Sequence, residues 1–112
     1  MKRVPTYQAD IYVSVNPDSE TYINYMDEAE TAIIEYVECG LCVSFHTVEF
    51  HHVDGMEFGF KVTLINYPRF PQEPEQIKKQ AIELAKILKK VCKQNRVSIV
   101  CTDETIMLEE DE

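Results

Sequence analysis

Residues 7–15 alternate cleanly. Tyr7, Ala9, Ile11, Val13 and Val15 fall on one side, and Gln8, Asp10, Tyr12 and Ser14 on the other. Period two with β-branched residues predicts a half-buried strand. Asn16-Pro17-Asp18-Ser19 ends it with helix-start chemistry: a capping side chain, a proline suited to the first turn and acids at the positive end of the dipole. The period then changes to 3.6. Ile23, Met26, Ala29 (or Glu30), Ile33 and Val37 form an apolar stripe, which predicts a helix from about Asp18 to Cys39 with Gly40 ending it.

Two long strand-like runs follow, Leu41 to Val53 and Met56 to Tyr67, joined by Asp54-Gly55. Asp-Gly between alternating segments predicts a type I′ hairpin. That turn sets Val53 opposite Met56, His52 opposite Glu57, His51 opposite Phe58 and Phe45 opposite Leu64. One face then holds Val43, Phe45, Met56, Phe58, Phe60, Val62 and Leu64, the core side. The other holds Ser44, His46, Val48, Phe50, His52, Glu57, Lys61, Thr63, Ile65 and Tyr67. Past Pro68, Pro71 and Pro74, the stripe Ile77, Ala81, Leu84, Leu88 and Val91 or Cys92 predicts a second helix from about Glu75 to Gln94. Val97 to Thr102 reads as the last main strand. Thr105 to Leu108 either extends it or folds back as a short edge.

Two one-sided helices and four strands with one apolar face predict an α+β two-layer sandwich. The sheet is antiparallel, the helices lie on one face, and the order β-α-β-β-α-β is ferredoxin-like. Residues 1–112 are expected to form a single domain, with flexible tails at 1–6 and 109–112.

Composition narrows the class. The chain has 112 residues, 45% hydrophobic and 28% charged, ordinary values for a globular domain. No apolar run approaches the ~20 residues needed to cross a bilayer, and no apolar core follows Lys2 and Arg3 to make a secretory signal. Cys39, Cys42, Cys92 and Cys101 are therefore expected as free buried thiols in a reducing cytoplasm.

Charge is both excessive and uneven. The net charge is −9, which argues against nucleic acid as a direct ligand. Val4 to Phe60 contains eleven acids and no lysine or arginine; Lys61 to Val100 carries nine basic residues; Cys101 onward is acidic again.

Candidate chemistry is sparse. Cys39-Gly40-Leu41-Cys42 is a C-x-x-C with His46 nearby, but Cys39 lies at a helix C-terminus, where a thiolate is disfavoured. As half of a zinc site it lacks a matching pair. His51 and His52 flank the hairpin tip, and His52 opposite Glu57 would form a cross-strand ion pair. No glycine-rich loop, nucleophile elbow or metalloprotease motif occurs, so the residues indicate no enzyme, no cofactor and no metal.

The solvent-side sheet face is more suggestive: Tyr12, Val48, Phe50, Ile65, Tyr67 and Val100 are apolar where polar residues are usual. The expectation is a non-enzymatic interaction domain that binds a basic partner protein through Asp10, Glu20, Asp27, Glu28, Glu35 and Glu38 together with that face. Its concrete form, by analogy of size and charge alone, is an inhibitor imitating nucleic acid, as phage counter-defence and anti-CRISPR proteins do. The alternative is a regulatory or small-ligand-binding ferredoxin-like homodimer, associated through sheets or edges.

Overall fold

The computed structural model describes the backbone of residues 1–15, 19–38 and 40–112 and the side chains of these except residues 19–22. The elements run β1 (Gln8–Val15), α1 (Ser19–Val37), β2 (Ser44–His52), β3 (Gly55–Ile65), α2 (Pro74–Val91), β4 (Val97–Cys101) and β5 (Thr105–Leu108). All strand pairs are antiparallel and the sheet order is β2-β3-β1-β4-β5. The expected count of four strands becomes five, because Thr105–Leu108 folds back on β4, pairing Val97 with Leu108 and Val100 with Thr105.

One core fills the space between sheet and helices. β1 contributes Ala9, Ile11, Val13 and Val15, β3 contributes Phe60, Val62 and Leu64, and β4 contributes Val97 and Ile99. α2 lays Ile77, Ala81, Leu84, Ala85, Leu88 and Cys92 against them at helical spacing. Each large aliphatic so buried contributes roughly 1.5–3 kcal/mol. Phe45 of β2 stacks on Phe60 with ring centroids 5.0 Å apart.

α1 buries Met26, Ala29 and Ile33, but Ile23, expected in the same stripe, is 58% exposed. At 3.6 residues per turn Ile23 lies roughly 90° around the helix from the middle of the buried set, beyond its edge. Gly40 ends the helix as expected, with φ +104° and its N–H donated to the Val37 carbonyl. α2 starts on Pro74 and closes with a Schellman pattern: the Gln94 N–H bonds the Lys89 carbonyl and the Lys93 N–H bonds that of Lys90. The left-handed position, usually glycine, is occupied by Lys93 at φ +52°.

The hairpin register is corrected by two residues. His52 pairs with Gly55, Phe50 with Glu57 and Phe45 with Val62. Val53 and Asp54 make the turn and Gly55, at φ +143°, begins β3. A two-residue slip preserves which side chains share a face. Met56 is nonetheless 40% exposed, although it lies on the core side of β3. Asn66 closes the far end: its N–H bonds the Tyr7 carbonyl, its side-chain NH2 bonds the Pro5 carbonyl, and its oxygen accepts from Gln72 N–H.

No helix among the described residues is long and apolar enough to cross a membrane.

Candidate functional site

Both helices cover one side of the sheet, so the other side is open. Pairing arranges its side chains in rows. His46, Lys61, Tyr12, Ser98 and Met107 form one row across all five strands; Ser44, Thr63, Asp10, Val100 and Thr105 form the next. Phe50 and Glu57 pair farther along the hairpin.

Two carboxylates mark this face. Asp10 accepts from Thr63 Oγ1 at 2.7 Å and from Gln8 Nε2 at 3.2 Å. Glu57 accepts from Ser14 Oγ at 2.5 Å, and His52 Nε2 stands 3.9 Å from its other oxygen. His52 and Glu57 are thus diagonal neighbours rather than the opposed pair expected.

Aromatic rings lie between the carboxylates. Tyr12 and Phe50 meet edge to face with centroids 6.3 Å apart, and Lys61 Nζ sits 5.9 Å above the Tyr12 ring. Phe50 can lie there because Gly59 beneath it has no side chain; a Cβ at Gly59 would stand 2.8 Å from Phe50 Cε2. A half-exposed carboxylate beside two rings suits a ligand that joins a flat aromatic group to a cationic centre.

The expected site residues scatter. Asp10, Tyr12, Val48 and Phe50 lie on the open face and are half-buried, with Ile65 and Val100 exposed beside them. Asp27, Glu28, Glu35 and Glu38 are exposed on the helical layer. There Asp27, Glu28 and Glu35 border a shallow groove with Val91 of α2. The acids and the open face therefore occupy opposite sides of the sandwich and cannot form one surface, since the helices separate them. The Glu20 side chain and Cys39 fall outside the described residues.

Tyr67 is not on the open face. It follows the end of β3, where strand alternation no longer governs, and lines a small cavity with Cys42, Phe70, Ile77 and Gln80. Burial and then a hydrogen bond with Cys42 raise its phenol above the ordinary range. Cys42 is an exposed free thiol, and His46 hydrogen bonds Ser44 Oγ at 2.9 Å. Among the described residues no three metal-ligating side chains cluster. Sequence reasoning does not single out Ser14, Lys61, Thr63 or the carboxylate of Glu57 as site residues. Their signal is the period-two alternation, which puts all four on the open side.

A separate polar cluster clamps the β4–β5 turn. Tyr7 donates to Asp103 at 3.0 Å, and Lys78 Nζ lies 2.8 Å from Asp103 and 2.6 Å from Glu104. Burial, with hydrogen bonds to Cys101 and Asp103, raises the Tyr7 phenol. The Lys78 ammonium holds Asp103 below the usual carboxylate range. These groups satisfy one another, and their position ties α2 to the end of the sheet.

The chain resembles a phage SAM lyase. The apo form of that enzyme superposes with a TM-score of 0.75 at 17% identity, over 97% of this chain and 94% of that one. A structure of a phage SAM lyase in complex with S-methyl-5′-thioadenosine gives 0.72 at 17% identity, over 97% and 95%. A de novo designed protein follows at 0.51 and 12% identity, over 89% of this chain and 99% of that one. No protein-family model matches, and no curated protein sequence matches significantly.

Those matches correct the functional expectation. Over nearly its whole length the chain folds as an enzyme does. The readings as a non-enzymatic inhibitor and a nucleic-acid mimic do not stand against that finding. The designed protein shares the fold as well, and one fold hosts unrelated roles, so the chemistry of the open face is weighed beside the superposition.

Proposed function

We propose that this chain is a lyase that cleaves S-adenosylmethionine and releases S-methyl-5′-thioadenosine, built on a ferredoxin-like frame. The observation that carries the reading is the superposition on two phage SAM lyase structures, end to end and in both directions of coverage. The open sheet face supports it chemically. The substrate combines a flat adenine, a positive sulfonium and an amino acid, the combination that Tyr12, Phe50 and Glu57 are suited to meet.

Release of the thioether requires the bond between sulfur and the amino-acid γ-carbon to break with its electron pair passing to sulfur. The γ-carbon takes its new bond from the substrate itself: from the substrate's own carboxylate oxygen, closing a lactone, or from the β-C–H pair, leaving an alkene as that proton departs. The positive charge on sulfur disappears as the bond opens. A carboxylate pressed against the sulfonium would hold the reactant more tightly than the transition state and slow the reaction. Glu57 is better used on the amino-acid end, receiving the ammonium or the departing proton. Ser14 orients it, and the rings of Tyr12 and Phe50 seat the adenine and keep water from the sulfur.

The test is direct. Purified protein incubated with S-adenosylmethionine should accumulate S-methyl-5′-thioadenosine, followed by liquid chromatography and mass spectrometry. Glu57→Gln should lower the rate by about 100-fold or more, the usual scale for a positioned acid–base group. Absence of product from the wild-type chain at high protein concentration would sink the reading. Full activity in the Glu57→Gln variant would remove Glu57 from it.

A further inference from the structure

The C-terminal half of α2 and the turn after it carry a second constellation, on the helical layer and away from the open sheet face. Lys86, Lys89, Lys90 and Lys93 line a groove of about 680 Å³, and the last residues of the chain, Glu110, Asp111 and Glu112, line it with them. Lys86, Lys89 and Lys90 recur at helical spacing on the last turns of α2, with i, i+3 and i, i+4 neighbours roughly 5–6 Å apart, and Lys93 joins them from the turn that follows.

Lys86, Lys90 and Lys93 are exposed, and it is Lys89 that sets the groove apart from a solvated charged face. Lys89 is 8% exposed, and its ammonium, which has three donors, makes one long hydrogen bond, 3.3 Å, to the Glu110 carbonyl. None of the four lysines forms an ion pair with a carboxylate among the described residues, although acidic tail residues share the groove. The tail bonds mainly to itself, through Glu109 and Glu112. It lies against the lysines without forming an ion pair with them among the described residues.

We propose that this groove binds a compact oligophosphate anion, and that the acidic C-terminus occupies the groove when the anion is absent. Several ammonium groups in one stripe match several linked phosphates, and lysine meets phosphate as a point charge. The negative end of the α2 dipole works against an anion here, so the lysines must supply the attraction. An extended polyanion is disfavoured. Past Val91 it would run over Asp27, Glu28 and Glu35 of α1, and past Lys86 it would meet Glu83 and Glu75 beside a Lys78 already paired with Asp103 and Glu104, whereas a compact ligand stays among the lysines.

The experiment is calorimetric titration of the full-length chain with inorganic tripolyphosphate at low salt, without divalent cations. The wild type is compared with a full-length variant carrying Glu110→Gln, Asp111→Asn and Glu112→Gln, and with Lys90→Glu at an exposed position. Removing three competing carboxylates should tighten binding about tenfold. Lys90→Glu should weaken it by at least as much, and raised salt should weaken it in every variant. Absence of heat from wild type and neutralised variant alike would overturn the site. Equal affinity of the two would overturn the role of the tail. Neither result depends on whether the chain cleaves S-adenosylmethionine.

Discussion

Gly59 offers the sharpest test of how the open face is built. Gly59 pairs with Ser14 across the β1–β3 ladder and with Val48 on β2. A Cβ there would collide with the Val13 carbonyl oxygen and stand 2.8 Å from Phe50 Cε2 and 3.0 Å from Ser14 Cα. Two of the three obstacles are backbone atoms of a central strand, which cannot rotate away. Gly59→Ala should therefore sit at the upper end of overpacking costs, about 3 kcal/mol. The substitution also removes freedom from the unfolded chain, and Gly59 does not have the positive φ that would strain alanine, so roughly 0.5–1 kcal/mol returns.

The net expectation is a loss of about 2 kcal/mol, or roughly 8 °C in Tm for a chain of this length. Urea denaturation of both proteins reads it. The sign decides the matter: without the collision, alanine in this strand would leave stability unchanged or raise it. A Phe50→Ala background separates the two contacts. It removes the ring but not the Val13 carbonyl, so the cost of Gly59→Ala should fall by about 1 kcal/mol or less. If Phe50→Ala erased the whole cost, the aromatic ring and not the Val13 backbone would be the obstacle, and the steric reasoning would be refuted.

Two further predictions concern stability. Burial, and secondarily the Glu28 charge, pushes the Cys92 thiol up to about 11, and burial raises the Tyr7 phenol as well. Each folded group stays protonated where the unfolded chain would ionise, so stability should be level below about pH 9 and fall by roughly 2–3 kcal/mol towards pH 11. Urea midpoints at pH 8, 9.5 and 10.5 would show this, and a flat profile would count against it. Lys93→Gly should relieve a left-handed side-chain position, stabilising the chain by roughly 0.5–1 kcal/mol in a thermal melt. A lower Tm would mean that the Lys93 side chain contributes more than its backbone costs.

What the sequence makes legible is local periodicity. β1 and α2 announce themselves because each has one strong period, and the structure buries the same residues that the period selects. The hairpin shows the limit. Its side-chain faces are readable, because a slip of two residues leaves them unchanged, while its register rests on a turn motif that the chain does not use. Strand parity misplaces Tyr67 because it stops governing beyond Ile65, where Asn66 latches onto Pro5 and Tyr7 and turns the chain. Ile23 enters the expected α1 stripe because spacing alone does not say how wide the buried arc is.

Function was less legible, for a chemical reason. Charge dominates this sequence, and charge on exposed helix positions is cheap to place and easy to see. Asp27, Glu28, Glu35 and Glu38 therefore outweigh Ser14, Glu57, Lys61 and Thr63, which look like routine polar residues on a wet strand. The proposed reaction explains why no motif warned otherwise. Breaking a carbon–sulfur bond at a sulfonium disperses charge already on the substrate, so it needs neither a metal to polarise a bond nor an activated nucleophile with its relay. It needs a surface that holds adenine, orients one carboxylate and excludes water. On the proposed reading those demands fall on residues far apart along the chain and brought together only by sheet pairing: Tyr12 from β1, Phe50 from β2 and Glu57 from β3. A site assembled across strands has no linear spacing to read, whereas the lysine stripe on α2, assembled along one helix, is visible in the sequence from the start.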